Sequence, residues 1–164
     1  MNHNIIVISG PSGSGKSTLI NMLLKKHPEI VFSTSHTTRP KRDKETDGKE
    51  YHFVTEENFR KMIDDGEFVE WAQVYRNFYG TSIKEIESKM NCGGDGVLVL
   101  DIDVQGARNI QEKFPYGLFI FVVPPSLETL EKRLVGREEK VDDNIRKRLE
   151  VAREELKQYH IYDY

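Results

Sequence analysis

Residues 5–18 read IIVISGPSGSGKST, and this stretch decides the architecture. Ile5 to Ser9 form a short, nearly unbroken apolar run, the pattern of a strand buried on both faces. The turn behind it, Gly10-Pro11-Ser12-Gly13-Ser14-Gly15-Lys16-Ser17, has the spacing of a phosphate-binding loop. Leu19, Ile20, Leu23 and Leu24 then recur at helical spacing, ending near His27-Pro28. In such a loop the glycines let the backbone fold around a phosphate, with successive N–H groups pointing inward at a helix N-terminus. Lys16 reaches the β and γ oxygens, and the Ser17 hydroxyl is a magnesium ligand. Strand before and helix after are the context the motif needs. A purine nucleoside triphosphate is the expected ligand.

Further along, residues 97–100 (VLVL) end in Asp101, and residues 118–123 (LFIFVV) end at Pro124-Pro125, with a helix-sized segment at 104–113 between them. Buried strands alternating with helices predict an α/β fold with a parallel-sheet core flanked by helices. Asp101 sits at the C-terminal end of its strand, the end that faces the ligand crevice, and is expected to hold Mg²⁺ directly or through water. Residues 36–90 read differently. The runs 49–54 and 68–75 alternate as half-buried strands do. Between them Thr55 can cap a helix carrying Phe59, Met62 and Ile63, and Ser82 to Glu85 form a capping box. This predicts a small α+β insertion. The charged tail 131–157, with Val141, Ile145, Leu149, Ala152 and Leu156 near a 3.6 period, predicts an amphipathic helix.

The chain has 164 residues, which as a prior means one domain, and 37% hydrophobic residues with 31% charged. Net charge is −3, against a globally basic nucleic-acid binder. One cysteine, Cys92, cannot form an internal disulfide or a cysteine-based zinc site, which fits a reducing compartment. No apolar run approaches membrane-spanning length, and the polar start MNHN lacks a basic signal-peptide region. A soluble, cytoplasmic protein is expected.

Ser35-His36-Thr37-Thr38-Arg39, followed by Lys41 and Arg42 and then Tyr51, supplies guanidinium forks and hydroxyls suited to phosphate. Taken alone it reads as a basic surface loop. Arg133, Arg137 and Arg148 could close over a transferring phosphoryl group, and alone they are ordinary helix-surface residues. His36 is not expected to catalyse, because phosphoryl transfer needs positioning more than acid–base chemistry.

Together the stretches ISGPSGSGKST, SHTTR, GKEYHFV, FVEWAQV, YGTS, VLVLDIDVQGA, PPSLETLEKRL and KRLEVAREEL resemble guanylate kinases, over nearly the whole chain. The resemblance implies transfer of the γ-phosphoryl group of ATP to GMP with Mg²⁺, by a monomer or homodimer acting on neither nucleic-acid polymers nor membranes. It implies a single domain, 1–164: core at 1–35 and 91–125, a GMP-binding insertion at 36–90, and a lid with its following helix at 126–164. Gly10 to Ser17 with Thr18 would form the ATP site, with Ser17 and Asp101 on the metal. Ser35, Arg39, Arg42, Tyr51 and Tyr79 match positions that grip the GMP phosphate, and Glu70, Thr81 and Asp103 match those that read guanine. Lys16, Arg39, Arg137 and Arg148 resemble the cations of the transition state. For Glu70 the chemistry agrees: a carboxylate accepts two hydrogen bonds, and guanine offers N1–H and the N2 amine side by side.

Three departures stand out. Lys44 occupies a position where relatives usually carry glycine, which bears on the geometry of the loop after Arg39. No glycine follows Arg137, which bears on the lid. The sequence ends at Tyr162-Asp163-Tyr164, where the family pattern continues with a further strand and helix, so an uncovered sheet edge is expected. The competing readings are a non-catalytic module that binds phosphopeptides in the former GMP pocket, and a P-loop kinase for another phosphorylated small molecule.

Overall fold

Ile5, Val7, Leu98, Leu100 and Phe119 are almost completely buried, as a parallel sheet covered on both faces requires. The computed structural model describes residues 5–91, 96–136 and 143–164, so Cys92, Arg137 and Val141 lie outside the described residues. Strands β1 (Ile5–Ser9), β2 (Ile30–Phe32), β7 (Val97–Asp101) and β8 (Leu118–Phe121) form one all-parallel sheet in the order β2-β7-β1-β8. Val7 is paired with Leu100 on one side and Phe119 on the other. Alternation then divides the core. Ile5, Val7, Leu98, Leu100 and Phe119 face helix α4 (Val104–Lys113) through Ala107 and Ile110. Ile8 and Val99 face helix α1 (Lys16–Lys26) through Ile20, with Leu23 and Leu24 at the margin.

The chain between β2 and β7 makes a second sheet. Its strands are β3 (His36–Thr37), β4 (His52–Phe53), β5 (Phe68–Val74) and β6 (Asn77–Ser82), in the order β4-β3-β6-β5. Helix α2 (Glu56–Asp64) closes it. Phe59 stacks between Phe68 and Phe78, with ring centroids at 4.5 and 5.5 Å. The expected α+β insertion is therefore present, with Thr55 capping α2 by accepting from Asn58 N at 3.2 Å. Helix α3 (Ile83–Asn91) returns to the core sheet through Ile86.

Four expectations need correction. The run 49–54 contributes only His52 and Phe53 to the sheet, because Gly48, at φ 78, turns the chain just before it. The capping box at Ser82 is half formed: Ser82 Oγ accepts from Glu85 N at 3.2 Å, but the Glu85 carboxylate accepts from Thr34 N at 2.9 Å instead. The tail is two helices, α5 (Leu127–Val135) and α6 (Asp143–Leu156), not one. Leu130 and Leu134 on α5 pack against Ile145 and Ala152 on α6, so each helix buries the other's apolar stripe. The outer edge of β8 is also not bare. Asp163 N donates to Phe119 O at 2.9 Å, Phe121 N donates to Tyr164 O at 2.7 Å, and Tyr162 lies against the Phe121 ring.

Lys44 needs no glycine. Tyr75 is the only non-glycine with positive φ among the described residues, so Lys44 has ordinary backbone geometry, and the loop closes through Glu45 N to Arg42 O at 3.0 Å. Among the described residues no helix is long and apolar enough to cross a membrane.

Gly10, at φ 141, is where β1 becomes a loop, and a Cβ there would stand 2.3 Å from Val122 O. That oxygen belongs to backbone and cannot swing away. Gly10→Ala should therefore cost about 2–3 kcal/mol of stability or more, combining overpacking with an unfavourable φ. Urea unfolding measures it, and a midpoint equal to the parent's would refute the close approach.

Candidate active site

The phosphate loop is fixed from three sides. Gly10, Gly13 and Gly15 all have positive φ, and α1 begins directly after Gly15. Lys16 Nζ donates to Gly10 O at 2.6 Å and Pro11 O at 3.3 Å, holding its ammonium across the loop. From α5, Arg133 Nη1 donates to Gly13 O at 3.2 Å and Ser14 O at 2.9 Å. From α6, Arg148 Nη2 donates to Ser12 Oγ at 2.8 Å. The oxygens of the loop are thus engaged from outside. Ser17 and Thr18 lie exposed at the start of α1.

Asp101 and Asp103 stand at the ends of β7 and of the turn after it, beside the loop. Burial raises the carboxyl pKa of both, and the Lys16 charge opposes the rise. Asp103 also caps α4, accepting from Gly106 N at 2.8 Å.

Across the cleft runs a line of buried polar groups. Ser35 Oγ lies 3.3 Å from Thr81 Oγ1, and Thr81 Oγ1 donates to Glu70 Oε1 at 2.6 Å. All three residues are buried. The other oxygen, Glu70 Oε2, faces Gly106 on α4. Burial is the main cause that pushes the Glu70 carboxyl up to about 7, with Asp103 adding to the rise while the Thr81 hydrogen bond and Lys113 oppose it. The sheet that carries Glu70 and the turn that carries Asp103 thereby bring two acids together around Gly106.

Arg39 is the centre of the second phosphate-binding candidate. Its guanidinium lies 5.5 Å from the Tyr51 ring centroid and donates to Glu45 Oε1 at 2.7 Å and Pro40 O at 2.8 Å. Tyr51 and Tyr79 meet at 5.9 Å between ring centroids. Burial chiefly raises the Tyr51 hydroxyl pKa, with Asp101 and Tyr79 adding to it. Arg42 is not brought in: its side chain is 59% exposed, 3.8 Å from Glu45. Arg137 lies outside the described residues. His36, half-buried, packs on the His52 ring at 4.7 Å and edge-on against Phe68 at 5.8 Å.

A family model described as guanylate kinase matches residues 2–164. This chain belongs to the guanylate kinase family. It is 48% identical over 160 residues to the guanylate kinase of Clostridioides difficile, covering 98% of this chain and 77% of that one. To the guanylate kinase of Thermotoga maritima it is 46% identical over 164 residues, covering 100% and 78%. The crystal structure of guanylate kinase from Anaplasma phagocytophilum superposes with a TM-score of 0.77 at 37% identity, over 98% of this chain and 73% of that one.

Within this guanylate kinase fold three residues stand at the cleft that sequence reading does not single out. Tyr75 turns the β5–β6 hairpin at φ 57 and hydrogen-bonds to Arg148, so the tip of the insertion touches the arginine that holds Ser12. Glu155, two turns beyond Arg148 on the same face of α6, has its carboxyl pushed up to about 7 chiefly by burial, with Lys16 opposing and Asp103 adding. Gly106 lies against Glu70. Only a bulky residue in a two-residue turn, Tyr75-Arg76, carries any signal in the sequence.

The raised Glu70 carboxyl has a consequence for stability. Its folded value, about 7, lies above the ordinary 4.5, so the unfolded chain loses this proton first. Stability falls as pH rises from 4.5 to about 7 and is flat above, by up to about 3 kcal/mol. Glu70→Gln should therefore raise the thermal midpoint relative to the parent at pH 8 far more than at pH 5. Equal differences at the two pH values would mean that the acid is ionised at no cost.

Proposed function

We propose that this chain performs the reaction of its family, transferring the γ-phosphoryl group of ATP to GMP to give ADP and GDP, with the residues divided as follows. The ATP polyphosphate lies in the loop from Gly10 to Thr18. GMP lies between the core sheet and the second sheet, so that residues 36–90 act as the GMP-binding insertion and α5 with α6 as the lid that carries Arg148. The observation that carries this reading is the buried Ser35–Thr81–Glu70 line, which ends on the α4 turn holding Asp103 and lies across the cleft from the phosphate loop.

Base choice follows from the chemistry of that line. Thr81 directs its proton at Glu70 Oε1 and holds the carboxylate in place. Guanine N1–H and N2–H₂ can donate to it in charge-assisted hydrogen bonds. Adenine presents a lone pair at N1, which would face a buried carboxylate with no proton between them. Asp103 supports the N2 side. Arg39, Tyr51, Tyr79 and Ser35 hold the GMP phosphate, with Arg42 joining as the loop closes. For Arg39 this means exchanging its hydrogen bonds to Glu45 and Pro40 O for a phosphate, whose oxygens match both arms of the guanidinium fork.

At the reacting centre Lys16, Arg39, Arg137 and Arg148 neutralise charge on the transferring phosphoryl. Lys16 Nζ leaves Gly10 O for the β and γ oxygens, a short swing within the same loop. The residues present also fit Mg²⁺: Ser17 and Asp101 are hard oxygen donors at adjoining strand and helix ends, suited to an ion that shares its coordination with phosphates. Bound there with ATP, Mg²⁺ would supply positive charge against the β and γ phosphates. Closing of the insertion and lid over the substrates excludes water and spares ATP from hydrolysis.

The test separates base reading from phosphate gripping. Glu70→Gln turns one acceptor into a donor that confronts a guanine N–H, a mismatch of about 1–3 kcal/mol or more, and should lower the GMP-to-AMP ratio of kcat/KM. Arg39→Ala should weaken every nucleoside monophosphate alike, because a phosphate contact carries no information about the base. A ratio unchanged in Glu70→Gln, or altered as much in Arg39→Ala, would break this division.

A further inference from the structure

Gly106 occupies the first turn of α4 and is buried, although helix propensity favours almost any other residue there. A Cβ at this position would stand 2.4 Å from Glu70 Oε2, 3.1 Å from Glu70 Cδ and 3.2 Å from Asp103 Oδ1. No real side chain survives the first of these contacts without moving its neighbour. A carboxylate at the end of a flexible side chain would ordinarily step aside. Here Glu70 is buried and its other oxygen is held by Thr81 at 2.6 Å.

Retreat of the helix is blocked as well. Ala107 and Ile110 seat α4 in the core against β1 and β8, and Lys113 Nζ donates to Val69 O, tying the far end of α4 to the residue before Glu70. Gly106 also reaches the second acid, since its N–H donates to Asp103 Oδ1 at 2.8 Å. One residue thus touches both acids: its N–H orients Asp103, and its bare α-carbon leaves room for Glu70.

We propose that Gly106 is a positioning residue for guanine selection, setting the spacing between the Glu70 and Asp103 carboxylates. This rests on the reading of those two acids as the groups that contact the base. Any β-carbon at 106 displaces Glu70 from the line that Thr81 holds, while the phosphate loop and the GMP phosphate grip stay in place.

The experiment is Gly106→Ala, assayed with GMP and AMP at saturating ATP, and with ATP varied at saturating GMP. The expected result is a rise of about tenfold or more in KM for GMP and a matching fall in the GMP-to-AMP ratio of kcat/KM, while kcat and KM for ATP stay within about threefold. The thermal midpoint should fall, because the added methyl is overpacked against Glu70 and displaces it from Thr81, an effect only partly offset by the better helix propensity of alanine. A role in packing alone predicts that KM for ATP and KM for GMP rise together with no change in the GMP-to-AMP ratio, and that outcome overturns the proposal. So does a KM for GMP within about twofold of the parent's. Glu70→Gln run alongside distinguishes the two levels: if it leaves the GMP-to-AMP ratio unchanged, the underlying reading of Glu70 fails, and the proposal with it.

Discussion

A side chain at Gly10 would collide with the carbonyl oxygen of Val122, and the whole cleft is arranged around that bare contact. Val122 N donates to Ser9 O at 2.7 Å, so the last residues of β1 and β8 are locked edge to edge where the phosphate loop leaves the sheet. From that fixed origin the loop can only curl over the strand ends. Its outward oxygens are then taken by Arg133 and Arg148, from two helices that bury each other's apolar faces. Core packing, loop shape and the placement of Arg148 are one connected arrangement.

The second sheet answers a different requirement. Reading a base needs a charged acceptor out of water, and burying a carboxylate is unfavourable unless donors reach it. Thr81 donates its hydroxyl to the Glu70 carboxylate, and the carboxyl remains shifted to about 7. On the proposed reading, guanine supplies the remaining donors. A carboxyl raised in this way marks a candidate recognition site. The Tyr75–Arg148 contact then links the second sheet to the glycine-rich loop at Ser12.

Legibility in the sequence followed the range of the interactions. The phosphate loop, β1, β7 and α4 were readable because buried strands and glycine-rich turns are encoded locally in residues 5–18 and 97–113. Strands β2 and β3, of three and two residues, carry no local signal, since only pairing with β7 and β6 makes them strands. Glu70 and Thr81 were legible through family resemblance alone; nothing in the alternation of FVEWAQV marks one glutamate as functional. Gly106 is legible neither way, and Arg133, although singled out as a candidate, gives no sign in the sequence of what it holds. Their partners, Gly13, Ser14 and Glu70, lie tens of residues distant in the chain and adjacent only once it has folded.

The most direct measurement offers the protein a choice. With limiting ATP, Mg²⁺ and equal concentrations of GMP, AMP, CMP and UMP, the diphosphates formed can be resolved by chromatography or phosphorus NMR. Transfer from ATP to GMP, with guanine selected by the buried carboxylate, predicts ADP and GDP in equal amounts and no accumulation of CDP or UDP. ADP formed without GDP, or a mixture reflecting all four acceptors, would contradict it.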